Sequence, residues 1–177
     1  MKYCCECGSD ALTFAIPCGD NRERFICSDC DVVHYHNPRI IVGVLAVFEG
    51  KVLLCRRAIE PRLGLWNLPA GFLENGESAE KGAARETYEE ALAEVNIERL
   101  HCVFSIPSGN QVYLHFFATM PTGEFGVTSE STEVKLFAEH EIPWNEIAFS
   151  STAFALKKYF EHPSHTGTHI GSAANWY

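Results

Sequence analysis

The sequence predicts a mixed α/β (α+β) sandwich carrying a small, metal-stapled N-terminal ribbon. Two observations predict the sandwich. Stretches of strand character lie on both sides of a single long helical segment, and no internal repeat or low-complexity block interrupts them. The length of 177 residues suits one ordinary domain plus a small appendage. The appendage is marked by a third observation: six of the eight cysteines fall within residues 1–37.

The elements follow in order. Residues 1–37 read as short turns and strands. RIIVGVLAVF (39–48) is apolar and β-branched, Glu49-Gly50 makes a tight turn, and KVLLCRR (51–57) returns as the second strand of a hairpin. AIEPRLG (58–64) is a loop, and LWNLPAGF (65–72) is a short strand that feeds an acidic segment. A long helix is expected from about Ser78 to Val95. Strands are expected near 98–106 and 111–119, then a loop over 121–132 and a strand at EVKLF (133–137). EIPWNEI and STAFALKKYFEH read as helical. After Pro163 the tail SHTGTHIGSAANWY has no period and little to bury, so 163–177 is expected to be mobile. The domain reading is a ribbon over 1–37 and a main domain over 38–162.

Composition narrows the function classes. Hydrophobic residues make up 46% and charged residues 21%, a globular balance. No run approaches the ~18 apolar residues that a membrane span needs. MKYCCECGSD lacks the apolar core of a secretory signal, which points to a reducing cytoplasm, where cysteines favour metal over disulfides. The formal net charge is −9. Nonspecific nucleic-acid affinity rests on many cationic contacts to phosphate, so no nucleic-acid partner is expected. Phosphates would reach such a chain through metal ions.

Cys4-x2-Cys7 and Cys27-x2-Cys30 are separated by 19 residues, the spacing of a tetrahedral zinc site. Four thiolates leave no open position, so the ion's role is structural. A segment this short has too little core to fold alone. Cys5 and Cys18 are left over, and His34 and His36 read as ordinary loop histidines.

The second constellation lies in GFLENGESAEKGAARETYEEALA (71–93). With Glu86 at zero on a helical wheel, Glu90 lies near about +40° and Glu89 near about −60°, within one arc. Ala84, Tyr88, Ala91 and Val95 are the expected core stripe. Ala79, Gly82 and Ala83 would let the loop 71–77 come close. Like charges three and four apart repel by roughly 0.2–0.5 kcal/mol per pair. A hard divalent cation, which takes carboxylate and carbonyl oxygens, would offset that repulsion.

These residues resemble the signature of the Nudix hydrolases, G-x5-E-x7-R-E-U-x-E-E-x-G-U with U a bulky aliphatic. Gly71, Glu77, Arg85, Glu86, Glu89 and Glu90 all fall in place. Three positions depart: Thr87 and Ala93 stand where U is expected, and Leu92 replaces the glycine, which should lengthen the helix. The CxxC pairs, YHNPRIIVG, LLCRRAIEP, GLWNLPAGF, NQVY, ESTEVKLF and EIPWNEIAF extend the resemblance over roughly residues 3–160. Together they are similar to a subgroup with an N-terminal zinc ribbon, linked to ADP-ribose or FAD pyrophosphohydrolysis.

The resemblance implies a Nudix α/β/α sandwich, Mg²⁺ or Mn²⁺ as catalytic metal and Zn²⁺ as structural metal. It implies that Glu86, Glu89, Glu90 and the Gly71 carbonyl bind the catalytic metal, and that Arg85 orients Glu77 or Glu89. The substrate would be a small dinucleotide or nucleotide sugar, and relatives are commonly homodimers. Glu89, Glu130 and Glu133 are candidates for a general base. Arg56, Arg57 and Arg62 are candidate contacts to phosphate or ribose, and Tyr113, Phe104 and Phe72 are candidate stacking partners for a base. The rival enzyme reading is an NADH pyrophosphatase, a group with SQPWPFPxS after its box, where this chain reads SIPSGNQVYL. A rival of another class is a non-catalytic Nudix or zinc-ribbon module that binds a ligand or nucleic acid.

Overall fold

The computed structural model describes residues 1–174. The chain divides into two compact units, Met1–Asn37 and Pro38–Tyr177.

In the first unit, β1 (Leu12–Ala15), β2 (Arg24–Cys27) and β3 (Val33–His34) form an antiparallel sheet in the order β1-β2-β3. Each cysteine pair sits in a tight turn. The Gly8 amide donates to the Cys4 carbonyl at 2.9 Å, and the Cys27 amide donates to the Val32 carbonyl at 3.0 Å. Gly8 has a φ of 77°, a left-handed conformation that costs glycine nothing.

The second unit is built on a sheet of order β10-β5-β4-β9-β8-β11. Its strands are β4 (Arg39–Phe48), β5 (Lys51–Arg57), β6 (Trp66–Asn67), β7 (Ala70–Phe72), β8 (Asn96–Ile106), β9 (Gln111–Thr119), β10 (Ser131–Phe137) and β11 (His169–Ser172). Central β4 is buried from Ile41 to Val47, as a strand covered on both faces must be. It runs parallel to β9 from Arg39 to Val47. One edge of β4 is shared between two partners: Val47 and Phe48 pair with β5, while Ile41–Gly43 pair with β7.

Helix α1 (Ala79–Ala91) covers one face of the sheet, where Ala83 and Ala91 meet Val42, Val44, Ala46 and Phe116. Helix α2 (Ser150–Glu161) covers the other, where Ala155 and Leu156 meet Leu45, Trp66 and Cys102. This is the expected mixed sandwich.

Several expected elements differ. LWNLPAGF is two strands rather than one. Pro69 has no amide to donate and breaks the ladder, so β6 pairs with β5 and β7 with β4. Helix α1 stops four residues before Val95. Leu92 does not lengthen it: at φ 51° it takes the left-handed conformation that the signature's glycine would supply. The Gly126 amide closes the helix end on the Ala91 carbonyl at 2.7 Å. The core stripe is also rotated. Gly82, Ala83, Thr87, Glu90 and Ala91 are buried, and Tyr88 is exposed. EIPWNEI (141–147) is not a helix: it begins at the end of one 3-10 turn, Glu139–Glu141, and contains a second, Trp144–Glu146. The tail expected to be mobile carries β11, which adds to β8 in parallel register from His169↔Cys102 to Ser172↔Ser105. Its last three residues, 175–177, lie outside the described residues.

Gly43 permits the close approach of β7 to β4. A Cβ there would stand 2.6 Å from the Ala70 Cβ and 2.8 Å from the Pro69 carbonyl oxygen. Gly43→Ala is therefore expected to cost about 1–3 kcal/mol. Thermal unfolding checks it: the midpoint should fall by roughly 2–4 °C per kcal/mol in a domain of this size.

Candidate active site and metal centre

Four sulfurs converge in the first unit. Cys4 Sγ lies 3.7 Å from Cys30 Sγ, and Cys7 Sγ lies 3.6 Å from Cys27 Sγ. All four lie within 4.8 Å of one another. A Zn–S bond of about 2.3 Å places the corners of a regular tetrahedron about 3.8 Å apart, so the spacing fits a zinc-like ion. His34 is not a loop residue as expected: it is a buried residue of β3 whose Nδ1 lies 3.4 Å from Cys5 Sγ.

The second constellation is organised by Arg85. Its Nε and Nη2 grip both oxygens of Glu77, at 3.1 and 2.7 Å. Its Nη1 lies 2.8 Å from Glu86 Oε1 and 2.8 Å from Glu89 Oε2. Nη2 also donates to the Phe72 carbonyl at 3.2 Å, which ties α1 to β7. The bidentate fork and the Glu74 amide, which donates to Glu77 Oε1 at 2.8 Å, pull the Glu77 carboxyl down to about 2. Arg85 is held charged by the same bonds.

Two glycines let these groups meet. A Cβ on Gly71 would fall 2.3 Å from the Glu86 carboxylate, so Gly71 is the wall against which Glu86 lies. A Cβ on Gly82 would fall 2.7 Å from Glu77 Oε1, which explains how the loop 71–77 reaches the helix.

The three helical glutamates are not equivalent. Glu89 is half exposed, Glu86 is largely covered, and Glu90 is 7% exposed. Burial, then the charge of Glu86, pushes the Glu90 carboxyl up to about 8, while Arg57 acts in the opposite direction. Burial also raises Glu86, against the pull of Arg85. Glu130 faces both of them and raises both.

These groups line an acidic cavity of about 640 Å³, walled by Arg57, Gly71, Phe72, Glu74, Arg85, Glu86, Glu89, Glu90 and Glu130 among others. Its donors are all oxygens, and several approach one another with only Arg85 and Arg57 to compensate. That chemistry fits a hard divalent cation.

A second cavity, of about 300 Å³, adjoins the first and shares Arg57, Pro61, Ala70, Gly71 and Phe72 with it. Its other walls include Arg39, Ile41, Asn67, Gln111, Tyr113 and Phe149. The Arg39 guanidinium lies 5.0 Å from the Phe72 ring centre, and that of Arg57 lies 5.2 Å from the Phe149 ring centre. Tyr113 donates its hydroxyl to Gln111 Oε1 at 3.0 Å.

The structure thus brings Gly71, Glu77, Arg85, Glu86, Glu89, Glu90, Arg57, Tyr113 and Glu130 to one region. It does not bring Arg56 or Glu133 there. Arg56 faces Glu133 at 3.6 Å and Glu146 at 3.7 Å, and donates to the Gly64 carbonyl at 2.8 Å. Neither lines the two cavities, because Arg56 and Glu133 pair across β5 and β10. Arg62 donates to the Ala148 carbonyl at 2.9 Å. Phe104 is buried against Phe154 as a core residue. Arg39, Gln111 and Phe149 were missed by sequence reasoning. They come from β4, β9 and the residue before α2, and no local spacing connects them.

Residues 37–157 match the family model described as the NUDIX domain, and residues 2–36 match the one described as Nudix N-terminal. A solved structure of a NUDIX hydrolase from Nitrosomonas europaea is 48% identical, superposes with a TM-score of 0.92, and matches over 98% of this chain and 99% of its own. An ADP-ribose pyrophosphatase of Methanocaldococcus jannaschii is 28% identical over 62% of this chain and 67% of its own length. An NAD-capped RNA hydrolase NudC of Vibrio parahaemolyticus is 28% identical over 81% of this chain but only 53% of its own. Among the described residues, no helix is long and apolar enough to cross a membrane.

The state of Glu90 has a consequence for stability in Mg²⁺-free buffer. A carboxyl whose folded value is raised to about 8 keeps a proton that the unfolded chain has already released. Stability is therefore present at low pH and lost as pH rises from the ordinary carboxylate range toward 8. Glu90→Gln should flatten that dependence and raise the melting temperature near pH 8.5 by at least about 3 °C, the shift that about 1 kcal/mol produces. Melting curves across pH 5–9, with the cysteine site loaded, check this. A variant that keeps the wild-type slope contradicts it.

Proposed function

The chain belongs to the Nudix family, and from that membership we propose that it hydrolyses the pyrophosphate bond of a nucleoside diphosphate joined to a second moiety. ADP-ribose or FAD is the substrate we favour, with AMP as a product. The observation that carries the reading is the pair of adjoining cavities, one acidic and one aromatic, with Gly71, Phe72 and Arg57 in their common wall. A dinucleotide needs both chemistries side by side.

In this reading Glu86, Glu89, Glu90 and the Gly71 carbonyl hold Mg²⁺ or Mn²⁺. When bound, the ion neutralises charge on the diphosphate and lowers the pKa of an attacking water. Arg85 keeps Glu86 and Glu89 in place and takes Glu77 as its counter-charge. Glu90 gives up its proton on loading, so loading strengthens as pH rises. Glu130 lines the same cavity, acts on both Glu86 and Glu90, and is the candidate proton acceptor. Arg57 stands where it meets a phosphate between the cavities. Phe72, Phe149 and Tyr113 offer ring surface to a base, with Arg39 and Gln111 at its polar edge. The four cysteines hold Zn²⁺ as a staple in a reducing cytoplasm. Likeness to the Vibrio enzyme favours a second reading, in which an NAD-type dinucleotide is the substrate.

A panel of ADP-ribose, FAD, NADH and diadenosine polyphosphates with Mg²⁺ or Mn²⁺, scored by AMP release, separates these readings. We expect kcat/KM for ADP-ribose or FAD to exceed that for NADH by at least about tenfold, a transition-state difference of about 1.4 kcal/mol. Preference for NADH would transfer the assignment to the second reading. Tight binding without turnover of any member would mark a binding module instead. Glu90→Gln should lower kcat by roughly 10²–10³-fold, as loss of a group that stabilises transition-state charge does. Full activity in that variant would remove Glu90 from the ligand set.

A further inference from the structure

Three histidines gather at the C-terminal end of the second unit, well separated in sequence from the signature helix. They follow the pattern His162-x2-His165-x3-His169. Each is placed by a distinct local cause. His162-Pro163-Ser164-His165 is a β-turn closed by the His165 amide on the His162 carbonyl at 3.0 Å, with proline at the position that favours it. The turn therefore sets His162 and His165 close together. His165 Nε2 lies where it would stand 2.9 Å from a Cβ on residue 167, and Gly167 has none. Thr168 donates to the Leu100 carbonyl at 3.2 Å and delivers the chain into β11, whose first residue is His169.

The rings meet as a result. The centres of His165 and His169 are 4.3 Å apart, and those of His162 and His169 are 5.8 Å apart. Two imidazoles that share one ion through bonds of about 2.1 Å hold their ring centres roughly 4.5–5.2 Å apart. One observed separation is slightly shorter than that range and the other slightly longer, and the rings are inclined by 36° and 25°, so the three nitrogens converge only if the side chains turn. Among the described residues, only the four cysteines already have ligand atoms gathered within 4.8 Å of one another. His162 and His165 are exposed, so no packed neighbour fixes their rings.

His169 Nε2 is buried and has no hydrogen-bond partner. The inner neighbour, His101, is fully engaged: its Nε2 lies 2.9 Å from the Ala155 carbonyl oxygen and its Nδ1 3.4 Å from Arg99 Nη1. It walls the cluster and is not a ligand. The carboxylate of Glu161 lies 4.0 Å from His162 Nε2 and pairs with Lys158 at 3.0 Å. The remaining cation, Arg99, lies over the Phe117 ring. Burial, then the neighbouring histidines, lowers His169 from its ordinary value.

We propose that His162, His165 and His169, with Glu161 beside them, form a second metal site that takes a borderline transition-metal ion of the Zn²⁺, Ni²⁺ or Cu²⁺ class. Imidazole nitrogens suit such ions, and they are poor donors for Mg²⁺. The ion would clip the turn after α2 to the first residue of β11 and so fix the last strand on the open edge of β8.

The test is calorimetric titration of Ni²⁺ into the zinc-loaded chain of 177 residues in excess Mg²⁺, which occupies the carboxylate cavity. One ion per chain with a micromolar Kd is expected. His162→Ala and His165→Ala lie in an exposed turn and leave the core untouched, and each should weaken binding by roughly tenfold or more, about 1.4 kcal/mol. Hydrogen exchange at residues 168–172 should slow when Ni²⁺ is bound. Binding no tighter than millimolar overturns the proposal. So does an affinity that the double variant leaves unchanged.

Discussion

The guanidinium of Arg85 holds Glu77 through two nitrogens and shares a third between Glu86 and Glu89. The acidic face of α1 exists because of that arrangement. Without it, Glu86, Glu89, Glu90 and Glu130 would crowd one cavity with little opposing charge. The fork also fixes direction. Gripping Glu77 pins the loop 71–77 against the helix, and the bond to the Phe72 carbonyl pins the strand before it. The region is thus held in place before any cation arrives, and a planar five-donor group is the side chain suited to it.

That electrostatic hub depends in turn on close backbone approach. Gly71 lies against the Glu86 carboxylate, Gly82 lies under Glu77, and Gly43 lets β7 settle beside β4. In each case a single methyl would overlap a neighbour. The small side chains of α1 serve the same end on the sheet side, where Ala83 and Ala91 bring the helix axis close to β4. Glu90 is consequently carried into the packed face of the helix. Its burial is a product of the packing, and it is the origin of the raised carboxyl.

The two units solve stability differently. The described residues from Pro38 onward bury a layer of side chains on each face of one sheet. The first 37 residues have three strands of two to four residues and exposed aromatic side chains such as Phe14 and Tyr35. Sulfur spacing at tetrahedral distances replaces a core there.

Much of this was legible in the residues because it is local. Two CxxC pairs each place half a tetrahedron within one turn, and helical periodicity alone puts Glu86, Glu89 and Glu90 on one arc. The hairpin of β4 and β5 was readable from Glu49-Gly50 for the same reason. What tertiary structure decided is whatever joins distant segments. It turned α1 so that Glu90 and not Tyr88 faces inward, and it made Leu92 end the helix against Gly126. It tied Arg56 to Glu133 across two strands and left Arg57 at the cavity, a distinction that adjacent arginines cannot carry in sequence. It assembled the aromatic cavity from β4, β7, β9 and the start of α2, and gave the C-terminal tail an open β8 edge to pair with. Register and packing across such separations depend on the whole set of contacts, and no window of neighbouring residues contains them.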